Sequence, residues 1–89
     1  MAYRIEFTHW ARKQFKSLTR ELQLRLRTRI ESLAKNPRPS GVRKLSASEN
    51  LYRIREGDYR VIYRVQDKVL LVLVLKIGHQ RDIYSTPLE

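Results

Sequence analysis

The segment Leu51–Val65 constrains the fold more than any other, because it predicts a β-hairpin of defined register. Aromatic and β-branched residues alternate with arginines on both sides of Gly57-Asp58, a pair typical of a two-residue hairpin turn. Closing the hairpin at this pair places Arg55 directly opposite Arg60. Since side chains alternate between the faces of a strand, one face is apolar and the other is rich in arginine. The apolar face carries Tyr52, Ile54, Tyr59, Val61, Tyr63 and Val65, and the other carries Arg53, Arg55, Arg60 and Arg64.

The opposed arginines are the unusual feature of this hairpin. Like charges directly across a strand pair destabilise it, and a bound polyanion would offset that cost. The alternative is a solvated outer face with ordinary surface arginines. The face assignment also depends on the turn, because a three-residue loop would pair Arg55 with Tyr59 and mix the two faces.

The residues before the hairpin predict one strand and two helices. Tyr3–Phe7 alternates apolar and charged residues, which is typical of a short strand at a sheet edge. Thr8 and Thr19 are the expected N-caps of the two helices. The second helix has the clearer apolar stripe, and it is expected to run to about Lys35, before Asn36-Pro37. Its stripe consists of Leu22, Leu26, Ile30 and Leu33.

The remaining segments complete an α+β fold. Asn36–Asn50 shows no periodicity and is expected to be a long basic loop, either functional or a plain crossover. Val69–Ile77 is apolar on both faces except at Lys76 and predicts an internal strand. The polar segment His79–Tyr84 follows Gly78. The predicted order is β-α-α-β-β-β, a two-layer α+β domain spanning residues 1–89 with a four-stranded, mostly antiparallel sheet.

Composition narrows the class of function. The net charge is +10, and thirteen of the nineteen basic residues are arginine, the side chain best suited to forked phosphate contacts. This balance favours a nucleic acid or an acidic protein partner over charge for solubility alone. The absence of cysteine and of any long apolar run predicts a soluble cytoplasmic protein with no membrane association. His9 and His79 are too few for a convincing metal cluster, and we expect no metal and no cofactor.

The chemistry-bearing residues that remain suit metal-independent RNA cleavage. The 2′-hydroxyl would attack the adjacent phosphate while arginines stabilise the developing charge. His79 has a pKa range suited to proton transfer, and Tyr84 is suited to stacking on a base or orienting the phosphate. The alternative for His79 is a strand-end histidine with no function.

Two motifs resemble those of a known family. The segments LYRIREGDYRVIYRV and VLLVLVLKIGHQRDIY, with the opening YRIEFT, closely resemble the RelE/ParE superfamily of bacterial toxin–antitoxin toxins, on the RelE side. The resemblance covers nearly the whole chain. It implies a ribosome-dependent endoribonuclease that cuts mRNA in the 30S A site. It also implies an acidic antitoxin that wraps and inactivates the toxin, in a complex that often represses its own operon.

The resemblance also assigns residues. The family's basic pair on the first hairpin strand corresponds to Arg53 and Arg55, its hairpin arginine to Arg60, and its late tyrosine to Tyr84. The late arginine is ambiguous, because the usual position is Gln80 and the neighbouring Arg81 would substitute for it. Where some members have lysines in the basic pair, this chain has arginines, which are poor general bases. Proton transfer is therefore expected to fall to His79, or catalysis to rely on positioning and electrostatics.

The candidate site thus has two parts. The catalytic candidates are Arg60, His79, Arg81 and Tyr84, and the phosphate-binding candidates are Arg53, Arg55, Arg43 and Lys44. Two other functions remain open. One is a ParE-like toxin acting on DNA gyrase, which would share the fold without the nuclease residues. The other is a non-catalytic remnant that binds the antitoxin and, through that complex, operator DNA.

Overall fold

A five-stranded sheet covered on one side by two helices makes up the computed structural model, which describes residues 2–83. The elements are β1 (Arg4–Phe7), α1 (His9–Lys16), α2 (Arg20–Ser32), β2 (Arg43–Ser46), β3 (Leu51–Glu56), β4 (Tyr59–Gln66) and β5 (Leu71–His79). The strand order is β1-β5-β4-β3-β2. This arrangement confirms the predicted α+β, two-layer, mostly antiparallel fold. No helix between residues 2 and 83 is long and apolar enough to cross a membrane.

The hairpin has the predicted register. Arg55 lies opposite Arg60, Ile54 opposite Val61, and the pairing continues to Leu51. At the turn Gly57 has a φ of +59°, whereas Asp58 does not adopt a positive φ. This pattern matches a type II′ turn, in which glycine at the first central position accommodates a backbone conformation that other residues rarely adopt. The two-residue turn therefore determines which side chains share a face.

Both predicted caps start their helices. The backbone N–H of Ala11 donates to Thr8 Oγ1 at 3.1 Å, and that of Leu22 donates to Thr19 Oγ1 at 3.3 Å. Helix α2 then packs its stripe onto the apolar face of the hairpin, as expected. The shared core includes Leu26, Ile30, Leu33, Ile54, Val61, Tyr63, Val65, Val72, Val74 and Ile77. The opposite face of the sheet is therefore left without a helical layer.

The first strand and helix together cover one side of β5. Strand β1 runs parallel to β5 at the sheet edge, and its pairing ends at Phe7 opposite Val74. Beyond that point Thr8, the N-cap of α1, donates through Oγ1 to the carbonyl of Leu75 at 3.1 Å. Within α1, Gln14 Oε1 accepts from the N–H of Ile77 at 2.9 Å. These two side chains thus satisfy backbone groups of β5 that β1 is too short to reach.

The sheet has five strands rather than the predicted four. Strand β2 lies within the segment expected to be a loop and pairs antiparallel with β3, Arg43 opposite Arg53. Its first three side chains are exposed, so neither face carries the apolar alternation by which a strand is recognised. The strand exists because β3 offers a free edge, and backbone hydrogen bonding does not depend on side-chain pattern.

Two predicted boundaries also shift. Helix α2 ends at Ser32 rather than near Lys35, and the next residues continue as a tightened turn in which the Leu33 N–H donates to the Ile30 carbonyl. Strand β5 begins at Leu71 rather than Val69, because a 3₁₀ turn occupies Asp67–Val69. Apolar residues in a turn and in a strand look alike in sequence, which explains the second error.

Candidate nucleic-acid interface

The sheet face turned away from the helices, here called the open face, gathers the hairpin arginines. The register aligns two rows of side chains across the strands on this face. One row runs through Arg43, Arg53, Ile62 and Lys76, and the other through Arg55, Arg60 and Gly78. Paired residues of adjacent strands lie about 5 Å apart, so the rows concentrate five basic side chains, Lys76 among them, in one region.

Arg60 is the most buried of these arginines, with 8% of its surface exposed. Its Nη1 donates to the carbonyls of Gly57 and Tyr59, each at 3.2 Å, and its Nη2 donates to Gln80 Oε1 at 2.9 Å. The guanidinium is thereby directed toward the hairpin turn and the tail. This arrangement relieves the expected repulsion with Arg55, which is exposed. Gln80, at the position where the resemblance predicts an arginine, is a partner of Arg60 that the sequence did not indicate.

Lys76 is a further basic residue of this face, which the sequence did not indicate as part of the site. It lies opposite Ile62, and only 1% of its surface is exposed. Burial lowers its pKa, because a low-dielectric environment disfavours the ammonium form. The sequence feature that could have indicated its importance is that Lys76 is the single charged residue in the apolar run Val69–Ile77.

Arg43 and Lys44, the two predicted phosphate-binding residues before the hairpin, lie on different faces of the sheet. Arg43 is exposed and joins the row of Arg53 on the open face. Lys44 points the other way: it pairs with Tyr52, and its Nζ lies 5.8 Å from the centre of that ring. The structure therefore brings Arg43 together with the hairpin arginines and separates Lys44 from them.

His79 is also separated from the arginine rows. It pairs with Tyr59 on the helical side, and the two rings meet edge-on with centroids 5.6 Å apart. Its Nδ1 accepts from the backbone N–H of Arg81 at 3.2 Å, and the Arg81 side chain is exposed beyond the strand. Tyr84, the other predicted catalytic residue, lies outside the described residues.

The short tail after β5 folds back across the open face. The N–H of Gln80 donates to the carbonyl of Asp58 at 2.8 Å, which ties the tail to the hairpin turn. Ile83 is buried, and its side chain packs over Gly78 so closely that a Cβ at that glycine would lie 3.2 Å from Ile83 Cδ1. Glycine at position 78 thus gives the tail room to lie beside Arg60.

A polar clamp holds the loop after α2 against the sheet. Arg38 donates to both carboxylate oxygens of Asp67, at 3.2 and 2.8 Å, and to the Tyr52 hydroxyl at 2.8 Å. The Tyr3 hydroxyl donates to the same carboxylate at 2.6 Å. The hydrogen bonds from Arg38, and then from Tyr3, lower the pKa of Asp67 to about 2. The clamp connects the loop leading to β2 with the turn before β5.

A groove of about 450 Å³ opens on the helical side, between β1, α1 and α2. Its floor is apolar, and Phe7 and Phe15 meet there edge to face with centroids 5.8 Å apart. Basic side chains surround this floor. The lining residues are Ile5, Phe7, Arg12, Phe15, Lys16, Gln23, Arg27, Ile30 and Glu31. The molecule thus presents a second basic surface, on the side opposite the open face.

Comparison with known proteins identifies the family. The family model described as "ParE toxin of type II toxin-antitoxin system, parDE" matches residues 5–84. The chain is 29% identical to toxin RelG of Mycobacterium tuberculosis over 94% of this chain and 98% of that protein. It is 28% identical to the mRNA interferase toxin RelE of Escherichia coli over 96% and 93%. Its fold matches RelE in the archaeal RelE–RelB complex of Pyrococcus horikoshii with a TM-score of 0.81 and 33% identity, over 90% of this chain and 97% of that one. The chain therefore belongs to the RelE/ParE superfamily and is a RelE-family toxin of a type II toxin–antitoxin system.

Proposed function

We propose that this toxin is a ribosome-dependent, metal-independent endoribonuclease that cleaves mRNA in the 30S A site and so arrests translation. The observation that carries the proposal is the open face, where Arg43, Arg53, Arg55 and Arg60 converge on a surface without a helical layer. A relative named as an mRNA interferase supports the same class of activity.

The chemistry expected of this face is electrostatic. The 2′-oxygen would form a bond to phosphorus as the bond to the 5′-oxygen breaks, leaving a 2′,3′-cyclic phosphate and a 5′-hydroxyl. Negative charge grows on the phosphate oxygens in the transition state, and fixed guanidinium donors stabilise it. Arg60 is held by three carbonyl acceptors, so it can offer its charge without a large loss of side-chain freedom.

The carboxyl-terminal residues complete the proposed site. Arg81 is exposed just beyond the tail's contact with the hairpin turn, where it is free to reach a phosphate. Tyr84 is proposed, from the family resemblance, to stack on a base or orient the scissile phosphate. His79 faces Tyr59, so we propose that it contributes to proton transfer only if RNA binding reorients the strand end.

Mapping of mRNA 5′ ends after induction of the toxin tests this proposal. We expect new ends inside translated codons, which disappear when translation initiation on the reporter mRNA is blocked. Toxin dialysed against EDTA and then freed of the chelator should cut ribosome-bound mRNA as well as untreated toxin. Intact mRNA in arrested cells would overturn the proposal, and loss of cutting after the dialysis would overturn its metal-independent part.

A second candidate is inhibition of DNA gyrase, which the description of the matching family model as a ParE toxin favours. A gyrase inhibitor would induce the DNA-damage response and block supercoiling by purified gyrase, without new mRNA ends. A toxin that does neither, but still binds its antitoxin, would be a non-catalytic remnant.

We also propose that an acidic antitoxin neutralises the toxin and occupies the groove on the helical side. Solved RelE–RelB complexes among the structural relatives support an antitoxin partner. The apolar floor fits the nonpolar face of an amphipathic helix, and Arg12, Lys16 and Arg27 fit acidic residues at its margins. Any binding to operator DNA is proposed to occur only through this complex.

A further inference from the structure

Gln80 is held at the hairpin turn by two separate hydrogen bonds. Its backbone N–H donates to the carbonyl of Asp58 at 2.8 Å, and its side-chain Oε1 accepts from Arg60 Nη2 at 2.9 Å. The first bond fixes where the residue lies, and the second joins its side chain to the arginine that the proposed reaction requires. One residue of the tail thus contacts the turn and the guanidinium at the same time.

The backbone of the tail keeps Gln80 in this place. The N–H groups of Asp82 and Ile83 both donate to the carbonyl of His79, at 2.9 and 3.0 Å, so the tail closes into a turn directly after β5. Ile83 is buried and packs over Gly78. These contacts do not involve the side chain of Gln80, so we expect the turn to form whichever side chain occupies position 80.

Arg60 is buried without a countercharge. Only 8% of its surface is exposed, and its partners are two backbone carbonyls and the amide oxygen of Gln80, all of them neutral. In the part of the chain that the structure describes, no carboxylate lies within ion-pair distance of it. Buried charges are usually paired, because the loss of hydration is costly. The charge of Arg60 therefore remains available to an incoming anion.

A neutral amide suits this arrangement better than a carboxylate would. Arginine offers hydrogen-bond donors only, so the oxygen of the Gln80 amide must be the atom that faces it. A carboxylate in the same place would also hold the guanidinium, but it would neutralise much of the charge. The amide occupies one N–H of Nη2, and the Nε–H of Arg60 has no acceptor among residues 2–83. The Nε edge of the guanidinium is thus the one left for a ligand.

We infer that Gln80 is a positioning residue of the proposed nuclease site, which orients Arg60 so that the Nε edge of its guanidinium meets the scissile phosphate. The inference rests on the proposed function, in which Arg60 stabilises charge on that phosphate. A donor that is oriented in advance stabilises the transition state more than the ground state. Loss of the Gln80 amide should therefore lower the rate constant of cleavage more than the affinity for mRNA-loaded ribosomes.

Single-turnover cleavage on programmed ribosomes tests this role with Gln80→Met, which keeps the length of the side chain but removes the amide oxygen. We expect the rate constant at saturating toxin to fall by about tenfold, while the half-saturating concentration changes by less than about twofold. Gln66→Met makes the same chemical change at the far end of β4 from Arg60 and should cleave at the wild-type rate. Wild-type activity of Gln80→Met would overturn the inference.

A double-mutant cycle separates positioning of Arg60 from a structural role in the tail. In the Arg60→Ala background, Gln80→Met should change the rate by less than about twofold, because the side chain that it orients is already gone. A further tenfold loss there would mean that Gln80 acts independently of Arg60, which would overturn the inference. Gln80→Glu should keep or raise the melting temperature, because its carboxylate pairs with a buried cation, yet it should lower the rate constant. A stable Gln80→Glu that cleaves at the wild-type rate would also overturn the inference.

The mobility of the Arg60 side chain can be measured without any cleavage, which separates this inference from the proposed function. The NMR order parameter of the Arg60 Nε–H should be about 0.85 in wild-type toxin, as in a rigid backbone, and below about 0.6 in Gln80→Met. That result together with absent mRNA cleavage would overturn the nuclease function and support the positioning of Arg60 by Gln80. An unchanged order parameter in Gln80→Met would overturn the inference, even if wild-type toxin cleaves mRNA. If neither Gln80 variant folds, a low value in wild-type toxin overturns the inference and a high value supports it.

Discussion

At the scale of single residues, Arg60 connects the hairpin to the proposed chemistry. It shares a face with Arg55, yet its guanidinium turns toward Gly57, Tyr59 and Gln80. Its hydrogen bonds to three carbonyl oxygens fix both the position and the orientation of its guanidinium group. Such preorganisation is what stabilises a transition state more than a ground state.

We predict that Arg60→Ala lowers the rate of mRNA cleavage by roughly ten- to a thousand-fold, because a fixed donor to the phosphate is lost. Tyr84→Phe should lower the rate within the same range. Single-turnover cleavage on programmed ribosomes measures both effects. Antitoxin affinity should not change in either variant, and Arg60 lies on the side of the sheet opposite the groove.

The matched control for Arg60→Ala is Arg20→Ala, which removes an exposed arginine at the start of α2. It should cleave at the wild-type rate. Full activity of both Arg60→Ala and Tyr84→Phe would show that the site has been placed wrongly. A thermal melt of each variant distinguishes lost chemistry from lost folding.

At the scale of structural elements, the clamp around Asp67 explains how an irregular loop is held. Arg38 joins the loop after α2 to the turn before β5, and Tyr3 adds the start of the chain. The buried Tyr63 hydroxyl donates to the carbonyl of Pro37 at 2.6 Å and fixes the same loop from below. These contacts position the loop so that β2 reaches the free edge of β3.

We predict that Asp67→Asn lowers the free energy of unfolding by about 0.5 to 1 kcal/mol at pH 7, a value reduced for solvent screening of a half-exposed pair. Folding lowers the pKa of Asp67 from near 3.8 to about 2. The stabilisation is therefore complete above about pH 4 and is lost as pH falls through about 2. Urea unfolding at several pH values measures it.

Arg38→Ala provides the control for the clamp. It should remove most of the pH dependence that Asp67 provides, because Arg38 is the main partner of that carboxylate. The double variant should lose less stability than the sum of the two single changes, because the single changes share the Arg38–Asp67 ion pair. A difference between wild type and Asp67→Asn that persists unchanged at pH 2 would contradict this account of the ion pair.

Sequence patterns predicted some elements well and others poorly, for physical reasons. Gly57 and the alternating residues around it specify the hairpin register, because a tight turn leaves few alternatives. Thr8 and Thr19 cap their helices through contacts within four residues. Strand β2 has no comparable local signal, since its pairing depends on an edge that exists only after β3 and β4 have formed.

At the scale of the whole molecule, the net charge of +10 is distributed over two opposite surfaces. The open face presents arginines in two aligned rows, which suits phosphate. The groove on the helical side combines Arg12, Lys16 and Arg27 with aromatic side chains, which suits an acidic amphipathic helix. Two surfaces of different chemistry allow one small domain to bind RNA and an inhibitor separately.

We predict that charge reversal in the groove separates these two activities. Lys16→Glu combined with Arg27→Glu should weaken antitoxin binding by at least about tenfold, because like charges then face each other. Cleavage of ribosome-bound mRNA should stay within about twofold of wild type. Calorimetric titration with the antitoxin and the ribosome assay measure the two effects.

A double variant with the same charge change at exposed residues outside the groove, Lys35→Glu with Lys68→Glu, is the control. If net charge alone steers the antitoxin to the toxin, both double variants should weaken antitoxin binding equally. Unchanged antitoxin affinity in the groove variant would place the antitoxin on another surface. A large loss of cleavage would mean that the groove side also contacts the ribosome.

The sequence by itself determined the hairpin register, the helix caps, the two-layer α+β class and the family, because each rests on local spacing or on contiguous motifs. Only the tertiary structure decided which basic residues act together. Strand pairing placed Arg43 with Arg53 and turned Lys44 and His79 to the helical side. It also brought Gln80 to Arg60 and buried Lys76 in the same row as Arg53. These relations join residues that are distant in sequence, and they depend on the pairing of neighbouring strands, which no local pattern records.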